Sequence, residues 1–275
     1  MVNLQYVNID NNVYQVNIYF HLMILTGNTI LITGGGSGIG RGLAEAFHAL
    51  GNKVIIAGRR QNVLDKTTEA NPGLASDVLD LEDPAAVREF AARVTSQHPA
   101  LNVLINNAGI LKLENLKSQK EDSGDAEAMV TTNLLGPIRL TAALLPHLQK
   151  QPRAAILNVS SGLGFVPLPL APTYSATKAA LHSYTQSLRV QLRDTPVQVI
   201  EIIPPYVQTE LGGSQQTNDP RAMPLKEFIA ETMQILKSQP EAPENCVEGA
   251  KFLRFAEASG TFDKALQVLT EMSFE

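Results

Sequence analysis

The stretch Thr33-Gly34-Gly35-Gly36-Ser37-Gly38-Ile39-Gly40 constrains the fold more than any other part of this 275-residue chain. An apolar run (29–33) precedes it and a helical pattern (42–50) follows, so the glycines stand at a strand-to-helix turn. Glycines there remove the Cβ atoms that would keep a pyrophosphate from the helix amino terminus, where backbone N–H groups and the helix dipole bind anions. Their spacing is Gly-x-x-x-Gly-x-Gly, distinct from Gly-x-Gly-x-x-Gly. Beyond the loop the alternation continues, with apolar runs at 53–57, 102–106, 154–160 and 197–203 and helical patterns at 84–95, 125–149 and 174–193. Such alternation predicts βαβ units and an α/β fold, a Rossmann-type doubly wound parallel sheet.

Composition narrows what this fold can serve. With 275 residues at 44% hydrophobic content, one large core and a single domain suffice. The formal charge of -5, with no Lys/Arg run longer than Arg59-Arg60, argues against nucleic acid or an anionic membrane and for a small-molecule partner. Cys246 is the only cysteine, which excludes an internal disulfide and fits a reducing, cytoplasmic setting. The five histidines fall in no paired ligand spacing, so no metal is expected. Residues 1–22 differ from the rest, carrying Tyr6, Tyr14, Tyr19 and five Asn but no Lys or Arg. They resemble neither a secretory nor a mitochondrial leader, and the run 16–25, broken by Asn17 and His21, is too short to span a bilayer. The expected organisation is an N-terminal extension (1–22), disordered or not native, followed by the folded domain (23–275). Met23 is the expected native start, and intact-mass analysis of protein expressed from its own locus tests this.

Tyr174 and Lys178 lie one helical turn apart in Thr173-Tyr174-Ser175-Ala176-Thr177-Lys178, which puts a phenol beside an ammonium on one helix face. A Tyr titrates near about 10, so holding it half ionised at neutral pH takes about 4 kcal/mol. One cation about 4 Å away in an effective dielectric of about 20 supplies an interaction of that order. Burial opposes it, so a second positive charge such as an oxidised nicotinamide ring would help. The second apolar run ends at Ala57-Gly58-Arg59-Arg60, where an NAD-preferring chain would carry an acidic residue for the ribose hydroxyls. Gly58 stands there, and Arg59 can bind a 2′-phosphate through paired charge-assisted hydrogen bonds. NADP(H) is the expected cofactor.

These motifs, in this order, resemble the short-chain dehydrogenase/reductase family over residues 28–211. The glycine loop matches its cofactor loop through Gly34, Ser37, Gly38, Ile39 and Gly40. Asn106-Asn107-Ala108-Gly109 matches its post-strand motif, and Tyr174 with Lys178 its catalytic motif. Pro204-Pro205-Tyr206-Val207-Gln208-Thr209 resembles its Pro-Gly-x-Val-x-Thr segment, with Pro205 in place of Gly. Within the family, residues 101–110 and 174–211 look most like the bacterial branch named after a D-alanine-transfer operon dehydrogenase. The resemblance implies that Asn106, Ala108, Gly109, Pro204, Val207 and Thr209 support the cofactor. Asp77, followed by Val78, matches the position that binds the adenine amino group. It implies four catalytic residues, Asn133, Ser161, Tyr174 and Lys178. Ser161 is chosen over Ser160 because the family Ser lies about 13 positions before the Tyr. In reduction, Tyr174 would protonate the alkoxide, Ser161 would bond the same oxygen, Lys178 would lower the Tyr174 pKa and hold the nicotinamide ribose, and Asn133 would anchor a water relay to Lys178.

Leu163, Phe165, Val166, Leu168 and Leu170, stiffened by Pro167, Pro169 and Pro172, read as an apolar substrate lining or as core packing under the loop. An apolar carbonyl or secondary alcohol is the expected substrate. Residues 211–218 read as a mobile lid, with the helix 225–237 closing over substrate. The family's last strand and Asp-Gly-Gly-like turn are not matched, and 252–272 reads as helical or irregular. This leaves a seventh strand, and any oligomer interface built on it, unassigned. The long helices bearing Asn133 and Tyr174 remain the candidate homodimer surface by resemblance. A non-catalytic NADP(H)-sensing module would need the glycine loop but not Ser161, Tyr174 and Lys178 together, and a serine hydrolase would need a Gly-x-Ser-x-Gly elbow, which Ser161 lacks.

Overall fold

Alternate side chains of a strand point to opposite faces, and here both faces are apolar, so each strand must be covered on two sides. The computed structural model, which describes residues 3–9, 12–18, 22–118 and 123–274, meets this demand. Within the N-terminal extension, β1 (Asn3–Ile9) and β2 (Asn12–Ile18) pair antiparallel. The other described strands are β3 (Thr29–Thr33), β4 (Lys53–Gly58), β5 (Ala75–Val78), β6 (Leu101–Asn106), β7 (Ala154–Val159), β8 (Val197–Ile203) and β9 (Glu244–Cys246). They form one parallel sheet in the order β5-β4-β3-β6-β7-β8-β9. The chain builds outward from β3 to β5, then crosses to β6 on the other side. The loops after β3 and β6 therefore part, opening a crevice at the carboxyl ends of the strands.

The first helices are α1 (Gly38–Ala49), α2 (Gln61–Ala70), α3 (Pro84–Gln97) and α4 (Gly124–Val130), followed by α5 (Gly136–Leu148) and α6 (Pro172–Gln191). The chain then forms α7 (Ser214–Thr217), α8 (Leu225–Ser238), α9 (Glu248–Arg254) and α10 (Phe262–Phe274). On one face Ile30, Ile32 and Ile56 bury against Leu43 and Phe47 of α1 and Phe228 and Leu236 of α8. On the other, Leu31, Ile55 and Leu104 meet Phe90 and Val94 of α3 and Leu140 and Leu144 of α5. The stretch Gly124–Leu148 is long and apolar enough to cross a membrane by length and composition, yet Leu140, Leu144 and Leu148 are spent on this core. Asp83 starts α3 by accepting from Ala85 N (2.7 Å) and Ala86 N (3.3 Å), with Pro84 in the first turn where its missing N–H is harmless.

The unassigned seventh strand exists. Glu244–Cys246 pairs parallel with Glu201, Ile202 and Ile203, and only Asn245 of the three is buried, too short a pattern for periodicity to reveal. Residues 248–254 and 262–274 are helical, as expected of that segment.

Candidate active site

The crevice is a cleft of about 730 Å³ that receives both the glycine loop and the Tyr174–Lys178 helix. Its floor depends on close backbone approach. Gly34 sits at φ +67, and a Cβ there would stand 2.9 Å from the Ala108 Cα. A Cβ on Gly40 would strike the Gly34 carbonyl oxygen. The two loops are also laced together: Thr33 Oγ1 accepts from Asn107 N (3.0 Å) and Ala108 N (3.1 Å), and Asn107 Nδ2 donates to Thr33 O (2.9 Å). At the start of α1, Ser37 is extended and its hydroxyl caps no helix N–H, so the first-turn donors at the cleft wall are left for an anion. A Cβ-free cradle under an uncapped helix fits a pyrophosphate.

Gly58, Arg59 and Arg60 line the far end of the cleft. Arg59 Nη1 lies 2.7 Å from Glu82 Oε1, which also accepts from Thr132 Oγ1 at 3.1 Å. Here the reading of Asp77 and Val78 needs correction. Asp77 is held by Arg93 through two 3.0 Å bonds, Val78 is exposed, and neither lines the cleft; Leu79, Asp80 and Leu81 do. The sequence 77–81 repeats an Asp-apolar pair three residues apart, and the second pair lies just past the end of β5, on the ligand side of the sheet. The end of the strand was the signal that distinguishes them. Asn106 also lies off the cleft, buried beneath it and donating to Asn158 Oδ1 (2.8 Å) and Thr141 Oγ1 (3.1 Å). Asn107, which the reading passed over, ties the loops instead. Ala108, Gly109, Pro204, Val207 and Thr209 line the cleft as expected.

At the other end, Ser161, Tyr174 and Lys178 come together on the cleft wall, all buried. Both serines line the cleft, but Ser160 Oγ donates to Ile202 O (3.4 Å), while Ser161 Oγ accepts from Leu163 N (3.1 Å) and is the serine whose hydrogen bonding acts on the Tyr174 phenol. Burial pushes the Tyr174 phenol up to about 12, with that Ser161 bond opposing it. Burial thus holds the phenol neutral in the protein by itself, and the Lys178 Nζ sits 5.6 Å from its ring centre. Lys178 donates to Val159 O at 2.8 Å, and burial pulls it down to about 8 against the pull of Glu201. Asn133 lies in a turn of π-helix, Thr131–Leu135, between α4 and α5. Its side chain clamps the Ile110 backbone, accepting from N (2.8 Å) and donating to O (2.9 Å), and donates to Thr177 Oγ1 (3.2 Å). It stands behind the cleft wall rather than on it. Glu114, also unforeseen, accepts from Thr173 N (2.9 Å) and Oγ1 (2.8 Å), fixing the first turn of α6 beside Tyr174.

Comparison with known proteins agrees with this geometry. Residues 28–220 match the family model described as short chain dehydrogenase. The chain belongs to the short-chain dehydrogenase/reductase family. It is 40% identical to the uncharacterized oxidoreductase DltE of Bacillus subtilis over 88% of this chain and 98% of that one, which matches the D-alanine-transfer-operon branch. A short chain dehydrogenase of Burkholderia cenocepacia, solved with NADP, is 25% identical with a TM-score of 0.75 over 90% of this chain and all of that one. A Sphingobium yanoikuyae short-chain dehydrogenase, solved with NADPH, is 26% identical with a TM-score of 0.72 over 87% and 95%.

In this short-chain dehydrogenase/reductase the 162–173 loop divides between the two roles left open for it, core packing and a lining beside Tyr174. Val166 is buried against Ala256, Ala265 and Leu269 of the C-terminal segment, and Phe165 sits edge-on to His182 and under Arg254. Val166 of this loop is therefore core, whereas Pro167 and Pro169 are exposed and the leucines are half-buried. Leu163, Leu168 and Ala171 join Met129, Ile110 and Leu111 around Tyr174. The lid segment carries Gly213 at φ +100 and α7, and Gln216 latches it by donating to Val207 O (2.7 Å) and Thr209 Oγ1 (3.2 Å). Helix α8 does not close over the cleft; Phe228 buries in the sheet core and Ile229 lies against Gly42 of α1.

Proposed function

We propose that this protein is an NADP(H)-dependent dehydrogenase/reductase that interconverts an apolar carbonyl compound and its secondary alcohol. The observation that carries this reading is the convergence of Ser161, Tyr174 and Lys178 on one cleft with the glycine cradle. A nicotinamide bound along that cleft supplies or accepts the hydride. Tyr174, protonated throughout the neutral range, stands ready to give its proton to the alkoxide oxygen in reduction. The Ser161 hydroxyl, already bonded to that phenol, orients the same oxygen. Lys178, charged below about pH 8, supports the phenolate that proton transfer leaves behind. Asn133 fixes the strand-end loop that carries Gly109 and Ile110 and orders the proton path to Lys178. Arg59 supports the 2′-phosphate reading, because no carboxylate follows Ala57 at the end of β4. Ile110, Leu111 and Leu211 on the cleft wall support an apolar substrate. A homodimer through the long helices completes the reading, and the formal charge of -5 and the single cysteine support a reducing cytoplasmic setting with no nucleic acid or membrane partner.

The test is fluorescence titration with NADPH and NADH, followed by a screen of apolar ketones, aldehydes and alcohols with the tighter cofactor. Tight NADPH binding with turnover is expected. Tight binding without turnover points to the sensing module, and absence of binding overturns the reading of the glycine loop.

A further inference from the structure

Among the described residues, the buried charged side chains are two, Lys178 and Glu201. A buried charge is costly unless paired, so the location of Glu201, in β8 and outside the proposed proton chemistry, calls for an account. Its Oε2 lies 2.7 Å from His182 Nδ1, while its Oε1 is buried with no hydrogen-bond partner. His182 follows Lys178 by one turn on α6, so both face the sheet at neighbouring levels. In the sheet, Glu201 is in register with Asn158, and Lys178 bonds the carbonyl of the next residue, Val159.

The other charged and titratable groups around Glu201 are engaged elsewhere. Arg254 of α9 holds both oxygens of Glu244 on β9, at 2.7 and 2.8 Å. Arg189 of α6 donates to Val199 O (3.0 Å) and Pro243 O (2.8 Å). Cys246 on β9 is kept as a neutral thiol by burial, pushed up to about 11. His182, Glu201 and Glu244 approach within 4.8 Å of one another, but Arg254 occupies the Glu244 carboxylate that a metal would need.

We infer that Glu201, fixed by His182, is the buried counter-charge that keeps the Lys178 side chain an ammonium, which makes Glu201 a positioning residue for the proton donor. The electrostatics agree in sign, since Glu201 raises the Lys178 pKa against the pull of burial. The role of Lys178 comes from the proposed function, but the pairing can be tested without cofactor or substrate. Full-length protein labelled with ¹³C-lysine is titrated by NMR, with Lys178→Met identifying the signal. In Glu201→Gln, which keeps the shape and a partner for His182, the proton affinity of Lys178 should fall about threefold or more. An unchanged Lys178 midpoint in the folded variant overturns the inference. If Glu201→Gln does not fold, Glu201→Asp decides: its carboxylate is drawn back by one methylene, so a smaller drop supports the pairing and an unchanged midpoint overturns it. A shifted midpoint in protein that shows no turnover supports the pairing while counting against the proposed activity.

Discussion

The two ends of the cleft are built on opposite principles. The proposed phosphate end is made of what is missing: Gly34 and Gly40 lack the Cβ atoms that would meet Ala108 and the Gly34 carbonyl, and no hydroxyl caps α1. The proposed catalytic end is made of buried polar groups whose protonation is displaced by burial, Tyr174 upward and Lys178 downward. Steric complementarity fails abruptly and regardless of pH, whereas buried charge fails gradually and with pH. The difference teaches that one cleft can separate binding from chemistry.

The sharpest way to break this contrast is Tyr174→Phe. It should lower kcat by about 10² to 10⁴ while leaving the cofactor Kd within about threefold. Loss of binding in parallel with turnover would mean that the two ends are not separable. Next in size, Gly40→Ala forces a Cβ against the Gly34 backbone, at a cost of about 1 to 3 kcal/mol for overpacking. Cofactor affinity should drop about tenfold or more with a flat pH dependence, measured by titration across neutral pH. Arg59→Ala should weaken NADPH binding by about tenfold, a charge-assisted bond being worth about 1.5 to 3 kcal/mol, and leave NADH binding nearly unchanged. Equal losses with both cofactors would place Arg59 outside the 2′-phosphate site.

The pH profile sharpens the other side. The ammonium of Lys178 is present below its pKa of about 8 and lost above it, so the rate of reduction should decline as pH rises through that value. A profile flat through this range would remove Lys178 from the proton chemistry. The smallest effect concerns Glu82, whose exposed pair with Arg59 is worth about 0 to 1 kcal/mol. Glu82→Gln should free Arg59 and tighten NADPH binding by up to about fivefold, with no gain for NADH.

The same two ends differ in how far the sequence disclosed them. Gly34, Ser37, Gly38 and Ile39 of the glycine loop, with Arg59, Ser161, Tyr174 and Lys178, line one cleft, because each depends on spacing within one turn or at the end of one strand, while Gly40 packs beneath it on Gly34. Asp77 was misplaced because Asp77-Val78 and Asp80-Leu81 look alike locally, and only the end of β5 separates them. Asn106 and Asn133 serve beneath and behind the wall, since their partners Asn158, Thr141 and Ile110 lie far away in sequence.

By itself, the chain's periodicity determined the α/β class, the strands β3, β4, β6, β7 and β8 with most of the helices between them, and the glycine cradle, because those follow from local spacing and the need to bury two faces of each strand. The short, half-exposed β5 and the helix α2 before it carry no such pattern. Tertiary structure alone decided that Glu244–Cys246 becomes a seventh strand, that Val166 packs on the C-terminal helices, and that Glu201 lies buried near Lys178. Those outcomes arise from contacts between residues remote in sequence, where desolvation and packing, not propensity, set the energy.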